Sequence, residues 1–160
     1  MIAKQDLLNL LKKEFATTLK VVYSFPEGKL DFSPHERSSN ARKLMSTFVF
    51  EMYLIDSYVI GTEIDRSVFK AYSPDSVKQV ISDFEAQSAN ILFKLENLSD
   101  DGMNKQIEFA GVKMTSEQFI MMMLFDQIHH RGQLSVYVRM AGGKVPSIYG
   151  PSADDPGTNL

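Results

Sequence analysis

The stretch Phe119-Ile120-Met121-Met122-Met123-Leu124-Phe125-Asp126-Gln127-Ile128-His129-His130-Arg131-Gly132-Gln133-Leu134 decides the fold of this chain. Seven apolar residues in a row give way to a polar set, and Val136, Tyr137, Val138 and Met140 carry the apolar character onward. No Gly or Pro breaks the first three turns, so the segment reads as one long, strongly apolar helix. At 3.6 residues per turn Asp126 and His130 stack on one face, and Gln133 and Tyr137 prolong that stripe. Polar groups on a buried helix face are costly unless paired. Their partner must be a metal ion, a ligand or each other.

Working outward, Thr115 or Ser116 caps this helix, and Gly142-Gly143 with Pro146 ends it near Met140. Three more helices are predicted upstream. The first spans Ala3 to Ser24, with Leu7, Leu10, Leu11, Phe15, Leu19 and Val22 at three-to-four spacing, and stops at Pro26 and Gly28. The second starts at Ser38 or Ser39 and ends about Gly61. Ser73-Pro74-Asp75 reads as the start of the third, with Ser as N-cap and Pro at the first helical position, and that helix runs to Leu98. Between Asp100 and Met114 the period changes. Gln106–Phe109 and Val112–Met114 flank Ala110-Gly111, which reads as a small hairpin or as a plain loop.

Four helices of this length make an all-α, antiparallel or crossed four-helix bundle over residues 1–150, with a loosely ordered polar tail over 151–160. The fourth helix is apolar nearly all round in its first half. It is expected to lie centrally or at a subunit interface, and a homodimer follows from the second option.

Size and composition set the outer limits. The 160 residues, 44% apolar and 23% charged, suit a single globular domain. A net charge of −3 gives no basic face, so no nucleic-acid partner is expected. Cysteine is absent, which removes disulfides, thiolate ligands and cysteine nucleophiles together. The apolar runs are too short to span a bilayer, so no membrane association is expected and the chain reads as cytoplasmic. No G-x-S-x-G, P-loop or G-x-G-x-x-G occurs.

Three segments resemble one family. Leu30-Asp31-Phe32-Ser33-Pro34-His35 is similar to its connector before the second helix, and Ser39-Asn40-Ala41-Arg42-Lys43-Leu44 to its second-helix entry. The most specific is His129-His130-Arg131-Gly132-Gln133-Leu134, followed by Gly142-Gly143, Val145-Pro146-Ser147 and Tyr149-Gly150. Together they resemble the DinB/YfiT-like family of metal-dependent enzymes, over nearly the whole chain. The resemblance implies a DinB-like four-helix bundle and a divalent metal held by three histidines, one on the second helix and an H-x-x-x-H pair on the fourth. In this sequence those positions are Thr47, Asp126 and His130. One histidine of three remains.

Asp126 is a workable substitute ligand, whereas Thr47 is a poor one. Glu51 lies one turn beyond Thr47 on the same face, and a Glu51–Asp126–His130 set is rich in hard oxygen, suiting Mn, Fe or Mg better than Zn. Ni and Zn remain candidates through the family.

Each of these residues also has a plain structural reading. Asp126 and His130 would form a self-satisfying i,i+4 pair, and Glu51 would be solvated or paired with an arginine. His129 is then a surface residue or supports the ligands from outside. Arg131 pairs with a carboxylate on a neighbouring helix or grips an anionic substrate. Gln133 hydrogen-bonds across the core, Gly132 permits close helix approach, the Met121–Met123 run is packing, and His35 is exposed.

The resemblance implies two functions, and names no catalytic residue for either. One is a metal-dependent enzyme of thiol-dependent S-transferase, isomerase or hydrolase type. It would act on a small-molecule substrate with a low-molecular-weight thiol as cosubstrate, and Gln133, His129 and Arg131 would support the ligands. The other is a metal-free small-molecule-binding or stress-associated module that has lost two of the three histidines.

Overall fold

The computed structural model describes residues 2–63 and 72–157. Helix α1 (Lys4–Tyr23) leads through a connector to α2 (Ala41–Ile55), which ends in a π-helical turn over Asp56–Ile60. Then come α3 (Val77–Glu96), a short α4 (Asp100–Asn104), strands β1 (Gln106–Phe109) and β2 (Val112–Thr115), and α5 (Ser116–Met140). The long helices pack in a ring, with α1 and α2 each lying against α3 and α5.

Side-chain bonds fix the direction of each helix. Near the start of α1, Ile2 N donates to Glu117 Oε1 and Lys4 Nζ to the Glu96 carbonyl, while Tyr23 OH at its end reaches Glu85. Thus α1 is parallel to α5 and antiparallel to α3. Tyr137 OH donates to the Ser39 carbonyl and Gln127 Nε2 to Glu51, so α2 is antiparallel to α5. The bundle runs up, down, down, up. Its core is built from residues such as Leu11, Phe15, Phe48, Met52, Phe84, Ile91, Phe119 and Leu134, with Phe84 meeting Phe15 and Phe48 edge to face.

Local chemistry sets the helix ends. Asn40, not Ser38 or Ser39, caps α2 by accepting from Lys43 N. The expected start at Ser73-Pro74-Asp75 is displaced: Ser76 is the N-cap of α3 and accepts from Gln79 N. Glu27, reaching across from the end of α1, accepts from Val77 N and Lys78 N. That tertiary contact satisfies first-turn donors that an earlier start would have left elsewhere. Of the two readings for 106–114 the hairpin is the one present, with Phe109 opposite Val112 and positive φ at Ala110 (51°) and Gly111 (80°). Thr115 and Gln118 form a reciprocal capping box on α5.

Helix α5 is not central. Phe125, Val136 and Met140 stand exposed along its outer face. The segment Pro151–Gly157 is also tighter than expected. Asp154 accepts from Arg139 and from Val145 N, and Asp155 from Ser147 N. Residues 158–160 of that tail lie outside the described residues.

Candidate metal centre

Helix α5 presents three faces. Phe125, His129, Gly132 and Val136 point outward; Asp126, His130, Gln133 and Tyr137 border the groove against α2; Gln127, Arg131, Leu134 and Val138 enter the core. The stripe expected to be buried is therefore the groove edge. Asp126 is half-exposed, with 49% of its side-chain surface accessible. The buried face lies one residue further along.

Glu51 departs from the sequence expectation most. It is neither solvated nor paired with an arginine; it is 2% exposed, inside the bundle on α2. Glu51, Asp126 and His130 each offer a ligand atom within 4.8 Å of the others. Gln127 Nε2 donates to Glu51 Oε2 at 3.3 Å, and Thr18 Oγ1 donates to Gln127 Oε1 at 3.2 Å. Among the described residues, no donor reaches the buried Glu51 Oε1.

Burial pushes the Glu51 carboxyl up to about 9; the nearby Asp126 charge raises it further, the Gln127 amide pulls the other way, and a hydrogen bond from the protonated carboxyl to Asp126 raises it again. Without a cation, Glu51 is therefore protonated at neutral pH. A buried carboxyl beside a second carboxylate and an imidazole could hold a hard or borderline divalent ion.

His130 Nε2 lies 3.6 Å from Asp126 Oδ2, so the i,i+4 contact of these two residues is also present. The other ring nitrogen, Nδ1, sits 3.1 Å from Gln133 Oε1, and Gln133 Nε2 lies 2.9 Å from His129 Nε2. An amide oxygen only accepts, so Nδ1 donates to Gln133 and Nε2 is the ring nitrogen on the Asp126 side. Gln133 thus bonds along its own exposed helix face and not across the core. Thr47 lines the groove beside His130, but its hydroxyl hydrogen is committed to the Leu44 carbonyl.

Arg131 is 1% exposed and pairs with Glu14 on α1, Nη2 to Oε2 at 2.8 Å, with Nη1 donating to the Glu14 carbonyl. Tyr149 closes the pair, its OH donating to Glu14 Oε2 at 2.7 Å. Arg131 is therefore the structural partner of a neighbouring helix and lies away from the groove. The groove between α2 and α5 is a cleft of about 430 Å³ lined by Ser38, Ser39, Lys43, Leu44, Thr47, His130, Gln133 and Tyr137.

Sequence reasoning missed the internal polar chain from Tyr149 through Glu14, Arg131, Thr18 and Gln127 to Glu51. A signal for it was present. Glu14 and Thr18 continue the Leu7–Leu11 spacing of α1, and Gln127 and Arg131 precede Leu134 and Val138 at the same spacing on α5.

A family model for the DinB family matches residues 1–159. The chain belongs to the DinB family. Uncharacterized protein YrdA of Bacillus subtilis (strain 168) is 33% identical over 86 residues, which cover 52% of this chain and 52% of YrdA. The chain thus spans about half the length of that curated relative. Among solved structures, a DinB-like protein from Bacillus cereus ATCC 10987 superposes with a TM-score of 0.81 at 22% identity, covering 91% of this chain and 97% of its own. The DinB-like YjoA of Bacillus subtilis gives 0.69 at 18% identity, with 86% and 92% covered. At such identities the two structures speak for the fold alone. Among the described residues, no helix is long and apolar enough to cross a membrane.

Proposed function

We propose that this DinB-family chain is a metal-dependent enzyme whose divalent cation is held by Glu51, Asp126 and His130. The observation that carries this reading is the orphaned Glu51 Oε1, buried beside a carboxylate and an imidazole. An ionised carboxylate buried there without a donor is costly, and a cation offsets that cost in place of the proton that Glu51 otherwise holds. Glu51 takes the second-helix position that the family pattern gives to Thr47. The oxygen-rich set favours Mn or Fe, with Ni and Zn as the family alternatives.

When bound, such an ion lowers the pKa of a water or thiol so that hydroxide or thiolate forms near neutral pH. The protein has no cysteine, so a thiol comes from a low-molecular-weight cosubstrate. The reaction class is thiol-dependent transfer or isomerisation, or hydrolysis, of a small molecule. The chain's own residues do the positioning. Gln127, held by Thr18, fixes Glu51; Gln133 orients the His130 ring; His129 orients Gln133. Arg131 holds α1 against α5.

One observation favours a second reading, a metal-free small-molecule-binding or stress-associated module. Glu51 holds a proton at neutral pH, and Asp126 contacts His130, so the cluster has partners without an ion. Elemental analysis of untagged protein, before and after incubation with Mn, Fe, Ni and Zn, separates the two. About one equivalent per chain, lost in His130→Ala, is expected. No metal under any loading would leave the binding module.

The same reading includes a homodimer. Phe125, Val136 and Met140 lie on one side of α5, more than half exposed, and a second copy of the chain would cover them. Sedimentation should give twice the chain mass, falling to the monomer in Phe125→Glu. A monomeric unmodified protein would contradict this.

A further inference from the structure

The groove that runs up from His130 between α2 and α5 has a charge asymmetry that the metal reading leaves unused. Among the described residues, its lining includes no carboxylate. Lys43 stands at its upper end, exposed, and among the described residues no ion pair involves its ammonium. Ser38 and Ser39 add hydroxyls on the same wall. The Tyr137 hydroxyl donates to the Ser39 carbonyl at 2.8 Å, which ties that wall to α5, and Phe32 packs edge to face on the Tyr137 ring. Between the two ends lie Leu44 and the Tyr137 ring, both buried against the bundle. A second cleft of about 770 Å³ shares Ser38, Ser39 and Lys43 and adds Glu36 and Arg37, whose opposite charges offset each other and leave Lys43 as the net charge there.

Two carboxylates and a divalent ion nearly cancel at the lower end, so with the ion in place Lys43 sets the sign of the groove. Lys43 and Glu51 are eight residues apart on α2, about 12 Å along the axis at 1.5 Å per residue, and a lysine stem spans roughly half of that. From these placements, and resting on the metal reading above, we infer that the groove takes a small molecule with an oxyanion at one end. The carboxylate or phosphate meets Lys43, Ser38 and Ser39, a short apolar segment crosses Leu44 and Tyr137, and the reacting group lies at the Glu51–Asp126–His130 end.

Calorimetric titration of the Mn-loaded protein with two hydroxamates tests this. Acetohydroxamate offers the ion a chelating group alone; succinic acid monohydroxamate adds a carboxylate on a short tail. The tailed probe should bind roughly tenfold more tightly at low salt, a 1.4 kcal/mol difference, and lose most of that advantage in Lys43→Met and at high ionic strength. Equal affinity of the two probes, or an advantage that survives Lys43→Met, would overturn the anion site while leaving the metal site standing. Binding of neither probe to a loaded protein would overturn the connection between groove and ion. Failure of the protein to load at all would remove the metal reading itself. Phosphonoacetohydroxamate in place of the succinic probe tells phosphate from carboxylate: stronger Lys43-dependent binding assigns the end to phosphate, weaker to carboxylate.

Discussion

Glu51 brings a carboxyl group into the bundle with one oxygen bonded by Gln127 and the other unpartnered. Its folded pKa of about 9 exceeds the ordinary glutamate value of 4.5, so its stabilising contribution in the metal-free protein is complete below about pH 4.5 and drains away as pH climbs toward 9. Denaturant midpoints of the metal-free protein should therefore fall across that window, by at most about 1.4 kcal/mol per pH unit from this group. Glu51→Gln should flatten the slope; an unchanged slope would show that the carboxyl titrates normally. Arg131 and Glu14 make the contrasting case of a pair already satisfied within the protein. Arg131→Met should cost about 3–5 kcal/mol in urea unfolding, because Glu14 is left buried and uncompensated. At this scale the sequence showed which residue types were out of place but not their surroundings. Glu51 read both as a candidate ligand and as a solvated carboxylate, because its burial is decided by α5, which lies more than sixty residues away in the chain.

Helix α5 shows what periodicity resolves and what it leaves open. The common face of Asp126, His130, Gln133 and Tyr137 was legible from spacing, and so was the capping box region at Thr115. Which face is buried was not. Phe125, Val136 and Met140 are apolar on the outside and Phe119, Ile120 and Leu134 on the inside, so hydrophobicity hardly changes around the helix and cannot set its phase. The glycines follow the same logic. Gly132, expected to allow close helix approach, has nothing within 4 Å of a would-be Cβ. Gly132→Ala in dilute protein should therefore raise stability by about 0.5–1 kcal/mol through helix propensity. The close approach is at Gly143, where a Cβ would lie 2.5 Å from the Ser24 carbonyl oxygen. Gly143→Ala should cost about 1–3 kcal/mol in the same thermal melts, and reversal of the two effects would refute both assignments.

At the scale of the molecule, the bundle sets parallel α1 and α5 against parallel α2 and α3 and so lets three helices contribute to one cluster. Glu51 comes from α2, Asp126, Gln127 and His130 from α5, and Thr18 from α1. The four long helices were legible from apolar spacing and from Gly and Pro, whereas the short α4 over Asp100–Asn104 was not. The topology was not, because connectors of this length permit either direction. The tail shows a further limit. A polar, Pro- and Gly-containing segment reads as loose, yet Asp154 and Asp155 pin it, with carboxyls held below the usual carboxylate range by Arg139 and by the Ser147 amide respectively. Those contacts stabilise above the ordinary aspartate range and are lost as pH falls below about 4, so the tail should become protease-sensitive there before the bundle unfolds.

In the proposed metal site the second-helix ligand has moved one turn, from Thr47 to Glu51. Isothermal titration of Mn(II) into the unmodified protein, Glu51→Gln and Thr47→Val tests it most directly. One ion per chain is predicted for the unmodified protein and for Thr47→Val, with binding lost or weakened at least tenfold in Glu51→Gln. Loss in Thr47→Val with retention in Glu51→Gln would contradict the account.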